Sequence, residues 1–200
     1  KAGLFEPDEK TYKWLKSRGR SVTAPTAVKS DKDAVYFEAL KFDVSKIAPQ
    51  VAMPHTVDNV VAINELKKTK IDQAFLGTCT NGRLEDLEIA HSILKNKSIN
   101  KDVKMIIAPA SRDIFQKAME KGVISGFVKA GACVIAPGCG PCVGTHSGVL
   151  SSGEVCISTA NRNFKGRMGN PDAFIYLASP ATVAASSIEG KITDPRKYLK

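Results

Sequence analysis

Short apolar runs alternate with amphipathic segments through the C-terminal two-thirds of this sequence, and no other feature restricts its fold as strongly. Five runs have the length and composition of buried strands: 72–77, 103–108, 133–136, 154–159 and 173–178. Four segments have the apolar spacing of helices: 83–95, 111–122, 123–131 and 181–189. This alternation predicts a three-layer α/β/α protein, in which a mainly parallel sheet carries helices on both faces.

The first part of the chain has a weaker pattern. A capped amphipathic segment at 7–19 predicts a helix, and a partly alternating apolar run at 35–44 predicts a strand. The segment 47–59 is interrupted by two prolines and is typical of a connector. We therefore expect residues 1–45 to form the tail of a preceding domain with a connector, and residues 46–200 to form the α/β domain.

The charge and hydropathy of the chain exclude some classes of partner. It carries 29 Lys and Arg against 20 Asp and Glu, a formal net charge of +9. The lysines are scattered without interleaved aromatic residues that stack on bases, so we expect no nucleic acid partner. An anionic small substrate or an acidic partner chain accounts for the same charge. No run approaches the roughly 18–20 apolar residues of a membrane span, and no signal-peptide pattern is present, so we expect a cytoplasmic protein without membrane contact.

The five cysteines fall into two groups, and their odd number argues against a pure disulfide framework. Cys133 and Cys156 lie in apolar strand-like runs and are predicted to be small core residues. Cys79, Cys139 and Cys142 lie in loops rich in glycine, proline and asparagine, directly after predicted strands. Because the carboxyl ends of parallel strands share one edge of a sheet, we expect these three thiols to meet there.

Three thiols at one edge predict a metal site. Thiolates select zinc or iron–sulfur clusters among the metals that proteins commonly bind. A structural zinc ion takes a fourth ligand, which His146 offers four residues after Cys142. Electron-transfer clusters normally take four cysteines, whereas three leave one iron open to a substrate oxygen as a Lewis acid. The count therefore favours a catalytic cluster, with a structural zinc site as an alternative.

The sequence CGPC at 139–142 also matches a thioredoxin-like redox motif, which is an alternative from another class. A helix should follow the first cysteine of such a motif and lower its pKa. The continuation VGTHSGVLSSGE contains three glycines and is typical of a loop. A dinucleotide-binding fingerprint fails as well, because Val143 stands where its third glycine belongs.

A basic loop leaves a further predicted strand at the same edge, with the sequence NRNFKGR at 161–167. The planar guanidinium group of arginine pairs with carboxylates through two hydrogen bonds. Arg162 and Arg167 beside a Lewis-acid iron suit a substrate with two or three carboxylates. A solvated basic turn is the alternative interpretation.

Taken together, GTCTNGR at 77–83, PGCGPCVG at 137–144 and NRNFKGR at 161–167 resemble the aconitase superfamily in sequence, order and spacing. The resemblance extends over nearly the whole chain. Cys-Thr-Asn-Gly-Arg, in place of the Cys-Thr-Asn-Ser of aconitases proper, resembles the branch that contains the large subunits of 3-isopropylmalate dehydratase and homoaconitase. Gly169 and the closing segment resemble the same branch, of which this chain matches the C-terminal part only.

The resemblance implies a hydro-lyase with a [4Fe-4S] cluster held by Cys79, Cys139 and Cys142. The reaction is a reversible dehydration and rehydration that moves a hydroxyl group between adjacent carbons. Asn161 and Arg162 are then expected to border the substrate, and Arg167 is expected to hold one of its carboxylates.

The resemblance also implies that the chain is incomplete as a catalyst. The family's histidine and acidic acid–base groups lie upstream of this segment, and its serine base belongs to a swivelling domain that is a separate small subunit in this branch. We therefore predict no activity without the upstream half and that small subunit. The expected substrate is 3-isopropylmalate, as in leucine biosynthesis, followed by homoaconitate and then 2,3-dimethylmalate; His146 receives no role.

Overall fold

The computed structural model describes residue 3, residues 5–20 and residues 29–199. The chain divides into two units, Lys1–Val44 and Ser45–Lys200. The division falls one residue from the boundary that the sequence pattern predicts. That the first unit is the tail of a preceding domain stays a prediction.

The described part of the first unit contains one helix, α1 (Glu9–Ser17). It begins at Asp8, whose carboxylate accepts a hydrogen bond from the backbone N–H of Thr11 at 2.9 Å and has its pKa lowered by that bond. The strand predicted at 35–44 is wrong, because residues 29–43 form no strand and Val44 begins a 3-10 turn, Val44–Lys46. Alternation alone does not make a strand when no neighbouring strand within the described residues accepts its hydrogen bonds.

The second unit is built on a sheet of seven strands, whose spatial order is β2-β1-β7-β6-β3-β4-β5. The strands are β1 (Gln50–Ala52), β2 (Val60–Ala62), β3 (Gln73–Gly77), β4 (Lys104–Ala108), β5 (Cys133–Val134), β6 (Val155–Ser158) and β7 (Phe174–Leu177). The last five run parallel to one another, while β1 is antiparallel to both β2 and β7. The β1–β2 hairpin replaces the expected connector, since its prolines lie outside the two short strands.

The described part of this unit contains five α-helices and a 3-10 turn, Pro195–Lys197. The α-helices are α2 (Leu84–Leu94), α3 (Arg112–Glu120), α4 (Val123–Ala130), α5 (Gly140–Val143) and α6 (Pro180–Glu189). Serine side chains cap two of them, because Ser111 accepts a hydrogen bond from the Ile114 N–H at 3.3 Å and Ser179 accepts one from the Thr182 N–H at 3.2 Å. No helix in the described part of the chain is long and apolar enough to span a membrane.

Successive strand side chains point to opposite faces of the sheet, so each face has its own apolar cluster. Leu76, Met105 and Ile107 belong to the cluster that includes buried residues of α2, α4 and α6. Phe75 and Ile106 belong to the second cluster, which is completed by residues of the connecting loops. All five residues of β3 are buried, as expected for a strand in the middle of a covered parallel sheet.

The α/β class with a mainly parallel sheet is confirmed. Helices cover the first face as expected, but in the described part of the unit the second face is covered by the β5–β6 and β6–β7 connections, whose only helix is the one-turn α5. The chain moves from β3 to β4 and β5 in one direction, and then from β6 to β7 in the other. Because crossovers between parallel strands are right-handed, connections running in opposite directions lie on opposite faces.

This change of direction sets the position of the ligand crevice. β3 and β6 are neighbours in the sheet, and the connections that leave their carboxyl ends go to opposite faces. Such a topological switch point opens a crevice at the carboxyl edge of a parallel sheet, where ligands bind. The residues that follow β3 and β6 are therefore the first candidates for a functional site.

Candidate functional site

The segment that follows β3 has an unusual backbone conformation. Gly77 has φ +142°, and a Cβ atom there would lie 2.0 Å from the carbonyl oxygen of Ala108. The next residue, Thr78, is buried and has φ +98°, which a β-branched residue rarely adopts. Cys79 follows directly and is exposed. The end of β3 is thus forced into a sharp turn that presents Cys79 at the edge of the sheet.

The loop after β3 contacts the loop after β6 across the crevice. The hydroxyl of Thr80 donates to Asn161 Oδ1 at 2.6 Å. The side-chain amide of Asn81 donates to the carbonyl oxygen of Thr159 at 2.6 Å and lies 3.2 Å from Asn161 Oδ1. The cysteine loop and the arginine loop therefore meet at the switch point, although they are about 80 residues apart in sequence.

The CGPC segment forms the single turn α5, with Cys139 at its N-cap position and Cys142 inside it. The expectation of a loop is wrong for 140–143 but holds after Gly144, where φ is +70° and the helix ends. A Cβ atom on Gly144 would lie 2.0 Å from the backbone nitrogen of Gly169. The turn is therefore packed closely against the end of the arginine loop.

Arg167 connects that loop to one of the cysteines. Its Nη2 donates to Cys142 Sγ at 3.3 Å, and its buried Nε has no hydrogen-bond partner among the described residues. A guanidinium group beside a sulfur atom suits a thiolate that binds a metal. Asn161 and Arg162, in contrast, are exposed at the mouth of the crevice.

Asn163 anchors the arginine loop from the other side and is fully buried. Its amide nitrogen donates to the carbonyl oxygen of Met53 at 2.8 Å, in the turn between β1 and β2. Arg162 therefore lies between two asparagines whose side chains are both hydrogen-bonded to other segments.

Cys79 lies in a loop that contacts the arginine loop, and Cys139 and Cys142 lie in the turn that Arg167 contacts. All five cysteines of the chain are free. Within residues 3, 5–20 and 29–199, no three His, Cys, Asp or Glu side chains are grouped so that they could hold a metal ion. Ligation by Cys79, Cys139 and Cys142 therefore stays a prediction that rests on the convergence of their loops.

The other two cysteines differ from each other. Cys156 is fully buried in the sheet, as predicted, and burial raises the pKa of its thiol to about 12. Cys133 is exposed, so its prediction as a core residue is wrong. It lies on β5, the two-residue strand at the edge of the sheet, where an apolar run does not ensure burial on both faces.

His146 lies beside the CGPC turn. Its Nδ1 is 2.9 Å from the hydroxyl of Ser147, and a Cβ atom on Gly140 would lie 2.8 Å from its ring. The imidazole thus packs over the start of α5.

Sequence patterns did not reveal three residues that join the loops: Thr80, Thr159 and Asn163. For Thr159 and Asn163 the sequence offers one indication of a functional role: each is a polar residue at or just beyond the end of an apolar run. Their partners lie far away in sequence, and no local pattern identifies such partners.

A mainly parallel sheet with connections on both faces, and with cysteines and arginines on loops at its switch point, defines an α/β domain with a candidate ligand crevice. The chain belongs to the aconitase family: the family described as "Aconitase family (aconitate hydratase)" matches residues 1–70 and 64–190. Because the chain belongs to this family and α5 is only four residues long, the thioredoxin-like interpretation of CGPC is not supported.

Curated relatives match the chain from end to end. It is 55% identical over 199 residues to the 3-isopropylmalate dehydratase large subunit 2 of Archaeoglobus fulgidus, covering 100% of this chain and 48% of that protein. It is also 55% identical over 201 residues to the 3-isopropylmalate dehydratase large subunit 1 of Thermotoga maritima, with the same coverage. The probable methanogen homoaconitase large subunit of Methanosarcina mazei is 56% identical over 197 residues, covering 98% and 49%. The chain thus spans about half the length of these relatives.

Proposed function

We propose that this chain is the iron–sulfur part of the large subunit of a hydro-lyase that interconverts 3-isopropylmalate and 2-isopropylmalate, as in leucine biosynthesis. Two relatives that carry the dehydratase name share 55% identity with the whole chain. The homoaconitase relative shares 56%, so homoaconitase is the second candidate. The observation that carries the proposal is the convergence of the cysteine loops and the arginine loop at the switch point.

We infer that Cys79, Cys139 and Cys142 hold a [4Fe-4S] cluster at this edge, although their side chains are not grouped as metal ligands in the described part of the chain. Three thiols are available without a fourth, and the Arg167 guanidinium lies beside one of them. When bound, such a cluster supplies a Lewis acid for the oxygen atoms of the substrate.

We assign different substrate contacts to the side chains at the crevice. Arg162 is exposed and offers a planar pair of N–H donors to a substrate carboxylate. Arg167 uses Nη2 on Cys142 Sγ, and its buried Nε, which has no hydrogen-bond partner among the described residues, is the donor that we assign to a second carboxylate. Asn161 accepts hydrogen bonds from Thr80 and Asn81 through Oδ1, so its own amide group is oriented before a substrate arrives.

A small subunit is the proposed partner, since the dehydratase relatives are named as large subunits. Acid–base groups must lie within hydrogen-bond reach of the protons that they move. We assign no such group to this chain, and we propose that the upstream half of the large subunit and the small subunit supply them. Five free cysteines suit a reducing compartment such as the cytoplasm.

The test is an absorbance assay of 2-isopropylmaleate and cis-homoaconitate hydration by this chain, by the complete large subunit, and by that subunit with its small partner. Turnover is expected only for the pair, and faster with 2-isopropylmaleate. Arg162→Lys and Arg167→Lys should each lower kcat/KM by about 10- to 100-fold, because an ammonium group does not reproduce two parallel hydrogen bonds to a carboxylate. Arg196→Lys, outside the crevice loops, is the matched control and should retain activity.

Turnover by the chain alone would contradict the claim that its acid–base groups lie elsewhere. A pair that hydrates only cis-homoaconitate would replace the first candidate by the second. Normal kcat/KM in both lysine variants would remove the arginine loop from the substrate site.

A further inference from the structure

Thr159 lies one residue beyond β6 and is buried, with 3% of its surface exposed. Its hydroxyl accepts a hydrogen bond from the N–H of Gly77 at 2.8 Å and donates one to the carbonyl oxygen of the same residue at 2.9 Å. One side-chain oxygen therefore satisfies both backbone groups of the last residue of β3.

This contact takes the place of backbone pairing between the two strands. The β3–β6 register ends at Phe75 opposite Ser158, and the last backbone bond of the pair runs from the Thr159 N–H to the Phe75 carbonyl oxygen at 3.0 Å. Beyond that point no residue of β6 faces Gly77 in the ladder. The hydroxyl of Thr159 continues the pairing by one residue and thereby fixes where β3 ends.

The residue before Cys79 is held by the same group of contacts. Thr78 has φ +98°, and its hydroxyl accepts a hydrogen bond from the Asn81 N–H at 3.1 Å. The Asn81 side chain in turn donates to the carbonyl oxygen of Thr159. A strained conformation persists only when its surroundings hold it in place. Thr159 holds this turn on both sides, because its hydroxyl bonds to Gly77 before the turn and its carbonyl group bonds to Asn81 after it.

We infer that Thr159 is the positioning residue for Cys79: its hydroxyl holds the Gly77–Thr78 turn that presents the thiol to the cluster. The inference rests on the proposed function, in which Cys79 is a ligand. Thr159 itself touches neither cluster nor substrate in this scheme. Its hydroxyl acts on the position of Cys79 through the backbone of Gly77 and Thr78.

The experiment compares four forms of the chain: wild type, Thr159→Val, Thr159→Ser and Thr193→Val. Valine has nearly the same size as threonine but lacks the hydroxyl, whereas serine retains it. Thr193 is the matched control, because it is also buried, and its hydroxyl also donates to a backbone carbonyl, that of Lys191, at 2.8 Å. It follows α6, whose end is hydrogen-bonded to the segment before β3, away from the cysteine loops.

Each form is reconstituted anaerobically with iron and sulfide, and then exposed to air. In air, Thr159→Val should lose iron at least fivefold faster than wild type, and its electron paramagnetic resonance spectrum after exposure should differ from that of wild type. Thr159→Ser and Thr193→Val should resemble wild type in both measurements. In the metal-free protein, the amide protons of Gly77 and Thr78 should exchange at least tenfold faster in Thr159→Val only. The melting temperature of each form, measured by circular dichroism, identifies effects that come from general destabilisation.

Iron loss within twofold of wild type in Thr159→Val, with an unchanged spectrum and unchanged amide exchange, would overturn the inference. Equal losses in Thr193→Val would overturn it as well, because they would show a general effect of removing a buried hydroxyl. A wild-type chain that takes up no iron would instead overturn the proposed function, and with it the ligand role of Cys79. Iron uptake by the wild type alone tests the proposed function, so its failure is distinguishable from failure of the inference about Thr159.

Discussion

The interior of the sheet and the loops at its carboxyl edge are held together by different forces. In β3, all five residues are buried, and apolar side chains fill both faces. Two residues later, Cys79 and Thr80 are exposed, and the loop is fixed by a few hydrogen bonds and by close contacts at glycine. Burial sets how stable the unit is, whereas the few directed contacts set where the thiols and guanidinium groups lie. Stability and site geometry should therefore respond to different substitutions.

The largest effect on stability is expected for Leu76→Ala, in the fully buried interior. It should lower the free energy of unfolding by about 2–5 kcal/mol, because it removes buried methyl groups and leaves a cavity. The melting temperature should then fall by roughly 4–20 °C for a unit of this size. Cys79→Ser, three residues further on, should change the free energy of unfolding by less than about 0.5 kcal/mol and abolish cluster uptake.

The measurements are urea unfolding of the metal-free chain and iron and sulfide analysis after anaerobic reconstitution. Cys133→Ser is the control for Cys79→Ser, since Cys133 is also exposed but lies on the edge strand β5. A loss of iron in Cys133→Ser, or stoichiometric zinc without sulfide in the wild type, would contradict the assignment of the ligands.

A smaller effect is expected where the strand becomes the loop. Gly77→Ala places a Cβ atom 2.0 Å from the Ala108 carbonyl oxygen, at φ +142°, so that both a steric clash and backbone strain oppose it. We expect a loss of about 2–3 kcal/mol in the free energy of unfolding. Gly153→Ala has φ +80° but no atom within 4 Å of its Cβ position, so only the conformational cost of about 1 kcal/mol remains.

Urea unfolding of both alanine variants gives the comparison. Equal losses would mean that the close approach of Gly77 to β4 is not a constraint. Thermal unfolding of the same two variants should rank them in the same order.

The smallest effect near neutral pH, which grows only in alkali, concerns the buried thiol of Cys156. Its pKa in the folded state is raised from 9.0 to about 12, mainly by burial. Between pH 9 and 12 the unfolded chain releases a proton that the folded chain retains, so stability is lost as the pH rises, by roughly 1.4 kcal/mol per pH unit. Below pH 9 this thiol contributes no pH dependence.

Unfolding by urea under reducing, anaerobic conditions at pH 8, 9 and 10 should show this slope as the difference between wild type and Cys156→Ala. The exposed Cys133 is the control site, since Cys133→Ala should follow the wild-type pH dependence. Parallel curves for wild type and Cys156→Ala would show that burial of this thiol does not affect alkaline stability.

Most of the sheet was predictable from the sequence because its strands are continuous apolar runs. β3 and β4 lie within one residue of the predicted bounds, and the helix that follows β4 begins at the capping residue Ser111. The β1–β2 hairpin was missed because each strand has three residues and prolines lie nearby. The strand at 35–44 was predicted wrongly because alternation says nothing about whether a partner strand exists.

The site was predictable in outline only. Motif spacing placed the cysteines and arginines at one edge, and the contacts between Thr80 and Asn161 and between Arg167 and Cys142 agree with that arrangement. The bonds of Thr159 to Gly77, and of Asn163 to Met53, join positions more than 80 residues apart. Such pairings depend on the assembled sheet, and no local pattern encodes them.

The position of α6 has a consequence for how this protein is made. β3 begins at Gln73, but α6, which belongs to the apolar cluster on one of its faces, begins only at Pro180. At a ribosomal rate of roughly 5–20 residues per second, that separation corresponds to about 5–20 s of synthesis. Throughout this interval the sheet lacks the cover that α6 supplies, so the nascent chain exposes apolar surface to which a ribosome-associated chaperone can bind.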